Sequence, residues 1–159
     1  MKMAMRDSVT RTRRQGGFIL VGILVALSAL AGGHLLMMRG GAPRPPASAF
    51  GTGPRTSAAG MYMATLASAQ PLRTRTMQTI AVTVIDPFGY AVDGAHITVD
   101  GGMPQHGHGL PTRPRVTRQT GRGTYEIDGV RFNMGGWWEF KLSITTAAGT
   151  DVVTFNLNL

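Results

Sequence analysis

The stretch Trp137-Trp138-Glu139-Phe140-Lys141-Leu142-Ser143-Ile144-Thr145 decides the fold. Trp138, Phe140, Leu142 and Ile144 fall on one side of an extended chain, and Glu139, Lys141, Ser143 and Thr145 on the other. Strict alternation of this kind marks a strand with one buried and one wet face, the habit of antiparallel sheets. Ala147-Ala148-Gly149-Thr150 then supplies a hairpin turn. From Asp151 to Leu159 the alternation resumes, with Val153, Phe155, Leu157 and Leu159 facing inward.

Working back from this hairpin, the same period recurs. Met77–Ile85 places Ile80, Val82 and Val84 on one face, and Asp86-Pro87-Phe88-Gly89 reads as a turn. Ala95, Ile97 and Val99 share a face, as do Tyr125 and Ile127 in the short strand Gly123–Ile127. Several short strands separated by turn signals predict an all-β fold, a small antiparallel β-sandwich over residues 77–159. Eighty or so residues stand near the lower limit for a self-sufficient core, so Trp138, Phe140 and Phe155 are expected to supply much of the burial.

The chain has 159 residues, a formal net charge of +8, a pI near 11.3 and no cysteine. The charge is unevenly spread. Residues 1–39 carry Lys2, Arg6, Arg11, Arg13, Arg14 and Arg39 against Asp7 alone, and residues 40–76 carry four Arg and no acid. Residues 77–159 hold six basic and seven acidic residues. A basic domain gripping phosphates is not what this distribution describes, and no nucleic-acid partner is expected. Without cysteine, a disulfide framework, thiolate-bound zinc and thiol catalysis are excluded.

Upstream lies a different kind of sequence. Gln15 to Met38 contains no charged residue, long enough for a bilayer-spanning helix of about 20 residues. The cations Lys2, Arg6, Arg11, Arg13 and Arg14 precede it, and excess Lys/Arg marks the cytoplasmic side. The expected organisation is a cytoplasmic basic tail (1–15), a single transmembrane helix (16–38), a flexible linker (39–76) rich in Gly, Pro, Ser and Arg, and an extracytoplasmic domain (77–159). A short helix around Gly60–Ser68 is weakly signalled within the linker. The apolar run outlasts a signal-peptide core, which favours a retained anchor in a bacterial inner membrane with the domain in the periplasm. Ala29-Leu30-Ala31 and Ala47-Ser48-Ala49 keep signal cleavage open. The run Arg13-Arg14-Gln15-Gly16-Gly17-Phe18 ahead of an apolar helix also resembles the N-terminus of type IV prepilins. That family carries Glu five residues into the mature chain, where this chain has Gly22. His34, near the outer end of the span, reads as a neutral interfacial residue.

The loop Gly101-Gly-Met-Pro-Gln-His-Gly-His-Gly-Leu-Pro-Thr112 breaks the alternation and gathers Met103, His106 and His108. A thioether and two imidazoles suit Cu(I), and imidazole also accepts Cu(II). In an extended chain His106 and His108 would present both rings to one side. Met134, just before the Trp strand, could fold back as a further soft ligand. The bland alternative is two solvated turn histidines with Met103 as a plug in the end of the sandwich. His96 falls on the wet face of its strand, and Arg113, Arg115, Arg118 and Arg122 read as a solvated strand edge. No nucleophile elbow, phosphate loop or spaced acid/base pair is present, so an enzyme is not expected.

Gly94-Ala-His-Ile-Thr-Val99, the Met-Pro-x-His-x-His-Gly loop and Met134-Gly-x-Trp137 together resemble the YtkA-like/FixH-like family over roughly residues 78–159. The resemblance implies an immunoglobulin-like sandwich at the outer face of a bacterial cell membrane, linked to copper handling and oxidase assembly. It places Met103, His106, His108 and Met134 at the family's recurrent loop positions. The expected function is membrane-anchored copper binding and delivery to a protein partner. A metal-free structural or interaction module, pilin-like in one form, is the alternative.

Overall fold

The computed structural model of the protein describes residues 42–159. The basic tail, the apolar span with His34, and the start of the linker lie outside the described residues. Nine strands follow in chain order: β1 (Arg55–Thr56), β2 (Met63–Ala67), β3 (Gln78–Ile85), β4 (His96–Met103), β5 (His108–Gly109), β6 (Arg115–Gly121), β7 (Thr124–Val130), β8 (Trp137–Thr146) and β9 (Gly149–Asn158). Among the described residues the only helical element is a single 3-10 turn at Ala47–Ala49. None is long and apolar enough to cross a membrane.

The β8–β9 hairpin runs in unbroken register from Trp137↔Asn158 to Thr146↔Gly149. Its turn is Ala147-Ala148, closed by Gly149 at φ 137°, a backbone state that side chains with a Cβ rarely adopt. Trp138, Phe140, Leu142 and Ile144 are buried, and Leu157, Phe155 and Val153 stand opposite the first three on the same face. β4 flanks β8 on its other side. The second group runs β1-β2-β3-β7-β6, every neighbour antiparallel. One residue pair, Thr98↔Arg115, joins β6 to β4. The inward residues of both groups form one hydrophobic cluster: Ile80, Val82, Tyr125 and Ile127 from one, Ile97, Phe140, Leu142 and Phe155 from the other. Two apolar faces closing on each other explain why the alternation is strict on both.

The segment expected as linker departs from expectation. Residues 63–67, within the weakly signalled helix, form strand β2, and Tyr62, Ala64 and Leu66 are part of the core. The folded unit therefore begins well before residue 77. Two contacts fix the segment. The Asp151 carboxylate, at the start of β9, accepts from Ala59 N–H (2.9 and 3.1 Å) and Met61 N–H (3.2 Å). The Ser57 hydroxyl foremost, then the N–H groups of Val152, Met61 and Ala59, hold this carboxyl below the ordinary Asp range. Tyr62 Oη donates to the Gly149 carbonyl (2.9 Å) and also pairs with Thr146 Oγ1 (2.8 Å). Upstream, Gly51 N–H donates to the Asn156 carbonyl (2.8 Å), and Ala58 N–H to that of Val152 (2.9 Å). Residues 50–58 thus cover the outer edge of β9, the edge an exposed strand would leave open to association. The compact unit Gly41–Leu159 contains the whole core cluster, and its buried side-chain polar atoms all have partners.

The strand registers also define two ends. One gathers the β1–β2, β3–β4 and β6–β7 connections and the β8–β9 turn. The other gathers the β2–β3 connection, the β4–β5 loop, the β7–β8 connection and the C-terminus, because Gln78 pairs with Val130, Gly102 with Glu139, and Trp137 with Asn158.

Candidate metal centre

β4 does not stop at the loop that carries the histidines. It turns back at Pro104–Gly107 and pairs with β5, which sets Met103 opposite His108 and Gly102 opposite Gly109. Two strand positions of β4 beside this hairpin need glycine. A Cβ at Gly102 would stand 2.6 Å from the His108 carbonyl oxygen, and one at Gly101 would stand 2.6 Å from that of Glu139. The Met103 carbonyl accepts from His106 N–H (3.0 Å) and Gly107 N–H (2.9 Å), and Gly107 takes φ 65°. His106 therefore lies in a tight turn and not in an extended run. Its ring still reaches His108: the centroids are 6.2 Å apart and the planes within 8°.

The β7–β8 connection, residues 131–136, closes over this hairpin. Phe132 is buried with its ring 5.3 Å from that of Trp138, edge to face. Trp138 Nε1 donates to the Met134 carbonyl (3.0 Å), which ties the connection to the second residue of β8. Gly136 exchanges two backbone hydrogen bonds with Leu159 (2.8 and 3.1 Å). A Cβ on Gly136 would come within 3.0 Å of Met103 Cε, so its absence makes room for the methionine.

Between the two loops lies a small cavity of about 110 Å³, lined by Met103, His108, Asn133, Met134 and Trp138. Met103 is 2% exposed, whereas Met134 is 41% exposed. Three of the four expected ligands thus meet at one cavity, and His106 stands beside it without lining it. Asn133 and Trp138 are the wall residues that sequence reasoning passed over. The Met134–Trp138 spacing, which lets the indole N–H reach the methionine carbonyl, was the available signal. No group of three His, Cys, Asp or Glu side chains converges among the described residues, so a metal here depends on the thioethers.

The donor set fits a soft ion. Two thioethers and an imidazole are the ligands that select Cu(I). The His106 ring is stacked beside that of His108, so the imidazole offered to the cavity is that of His108.

The remaining marked residues are placed as expected. His96 is exposed, opposite Thr145. Arg118 Nη2 meets Glu126 Oε2 at 2.7 Å and Arg122 Nε meets Asp93 Oδ2 at 3.6 Å, so much of the Arg run is a solvated, partly paired strand surface. The Gly123 N–H above all, with Gln119 and Arg122, lowers the pKa of Asp93. The hydroxyls of Thr79 and Thr117, with Arg118 and Arg115, lower that of Asp128.

No curated protein and no solved structure matches the chain. The YtkA-like family model matches residues 56–143, from β1 to the middle of β8. That span takes in β2, the Met/His hairpin and the Met134–Trp138 connection. The chain belongs to the YtkA-like family.

Proposed function

We propose that this is a copper-binding domain, tethered to the outer face of a bacterial inner membrane by residues 16–38, which holds Cu(I) for delivery to a protein partner. The observation that carries the proposal is the convergence of Met103, His108 and Met134 on one cavity. Thioether and imidazole ligation is weak enough to exchange, which suits transfer better than a closed structural site. The half-exposed Met134 and the exposed histidines leave one side of the site open to a partner. The domain itself is immunoglobulin-like. Support comes from the strand order: β2-β3-β7-β6 and β4-β8-β9 are the two sheets of that architecture, ABED and CFG. The tether rests on the apolar stretch and the cations before it. The role proposed for the domain is binding and transfer of the ion.

The test is a Cu(I) titration of residues 42–159 against a competing chelator. Replacing a residue that only orients a metal ligand weakens affinity about 10–100-fold, so loss of a ligand should cost at least about tenfold. His108→Ala and Met103→Leu are expected to reach that, Met134→Leu to approach it, and His106→Ala to have the smallest effect. A second reading draws on Met103, buried against Gly136 as a hydrophobic plug in a metal-free interaction module. It predicts no Cu(I) binding above a histidine-free background.

A further inference from the structure

The connections at the two ends of the sandwich carry opposite charge, and the acids nearest the cavity end, Asp100, Asp128 and Glu139, stand on the adjoining strands. At the cavity end, five exposed arginines come from separate segments: Arg44 before β1, Arg73 and Arg75 between β2 and β3, Arg131 between β7 and β8, and Arg113 between β5 and β6, next to Thr112, whose hydroxyl donates to the Gly129 carbonyl near the end of β7 (2.6 Å). These connections hold no Asp or Glu, and none of the five arginines is in an ion pair among the described residues. Met77 and Met134, both exposed, stand among them. Between Ser68 and Thr79 a groove of about 420 Å³ sets Arg73 beside Met77, a cation at the rim of an apolar wall. The opposite end carries Asp86 and Asp93 against Arg122 alone in its connections. Its exposed aromatics, Phe88 and Tyr90, sit on the turn built by Asp86, whose carboxylate accepts from both their N–H groups.

We infer that the cavity end docks on the headgroups of an anionic phospholipid bilayer, so that the Met/His cavity opens at the membrane surface. Two observations choose this occupant. The first is charge complementarity confined to one end. The second is where the described chain starts: Arg44 Nη2 donates to Asn158 Oδ1 (3.0 Å), so the chain enters the fold at this same end. Only a few residues separate that point from the apolar stretch ending at Met38. The orientation leans on the proposed tether, whereas the charge asymmetry stands without tether or copper. A partner that takes copper from this end would have to be embedded in, or lie on, the same membrane.

The experiment is sedimentation of metal-free 42–159, which contains the whole core, with vesicles of about one-third phosphatidylglycerol and with pure phosphatidylcholine vesicles. Binding is expected to the anionic vesicles only, and to fall as salt screens it. Arg73→Gln with Arg113→Gln and Arg131→Gln is the test variant. It spares Arg44, stacked on Phe50, and Arg75, whose φ is 61°. Headgroup attraction of about 1 kcal/mol per basic residue is about fivefold each, so the triple variant should bind about 100-fold more weakly. Arg122→Gln and Phe88→Ser, at the far end, should bind as the parent does. Equal binding to neutral vesicles, loss of binding in Phe88→Ser, or equally tight capture by polyglutamate would each overturn the inference. Circular dichroism of every variant separates lost docking from lost folding. A copper titration of the same samples reports on the proposed function alone.

Discussion

The two ends of the sandwich solve the same problem in opposite ways. At the β8–β9 turn, polar groups close on one another. Asp151 takes two backbone N–H groups from the 57–62 segment, Tyr62 Oη reaches Thr146 and Gly149, and Tyr125 Oη donates to the Val92 carbonyl at 2.6 Å. At the other end the side chains are thioethers, imidazoles and unpaired guanidiniums around small cavities. Closure by hydrogen bonds makes the first end a clamp. The second carries thioethers, imidazoles and guanidiniums that form no ion pair among the described residues, which is where a ligand or surface can act.

The sharpest way to break the comparison is to remove the clamp's upstream strand. A fragment starting at residue 70 loses Tyr62 and Leu66 from the core, each worth about 1.5–3 kcal/mol of burial, against a total stability of about 5–15 kcal/mol. It should lack the cooperative urea transition that 42–159 shows. A cooperative transition in the shorter fragment would mean that β1 and β2 are decoration. Next in size is Tyr62→Phe, which removes the hydroxyl and leaves Thr146 and Gly149 without it. The expected loss is about 1–2 kcal/mol in urea unfolding, with Cu(I) affinity unchanged because the site is at the far end.

Acid titration sharpens the same contrast. Asp151, Asp93 and Asp128 all have folded pKa values below the ordinary Asp value. A carboxylate of this kind stabilises the fold fully above its unfolded pKa of about 3.9, and the contribution is lost as pH falls through the lower folded value. Stability should therefore be level down to about pH 5 and decline below it. Asp151→Asn should be less stable at neutral pH and show a shallower decline. An unchanged slope in that variant would remove Asp151 from the clamp.

How much of this could be read from the residues depends on side-chain size. In β8 and β9, large apolar residues alternate with polar ones from Trp138 to Thr145 and from Val153 to Asn158, and the strands stand where periodicity put them. β2 has the same period, but its inward positions are Ala64 and Leu66, with Tyr62 just before it, set among Met61, Met63, Thr65 and Ala67, too little contrast to register. What makes it a strand is remote: Asp151, some 90 positions away, fixes the turn before it. β5, two residues long, has no period at all. At the site, residue chemistry singled out Met103, His106, His108 and Met134. Which of them share a cavity was settled by the meeting of two loops at one end, and local spacing carries no record of that. The same meeting leaves His106 outside the wall and brings Asn133 and Trp138 into it.

The central claim is that thioethers and one imidazole hold a soft ion in that cavity. X-ray absorption of Cu(I)-loaded 42–159 tests it most directly, since sulfur and nitrogen neighbours scatter differently. The account predicts a mixed sulfur and nitrogen shell that loses its sulfur signal in Met103→Leu with Met134→Leu. A shell of nitrogen alone, or one unchanged in that double variant, would contradict it.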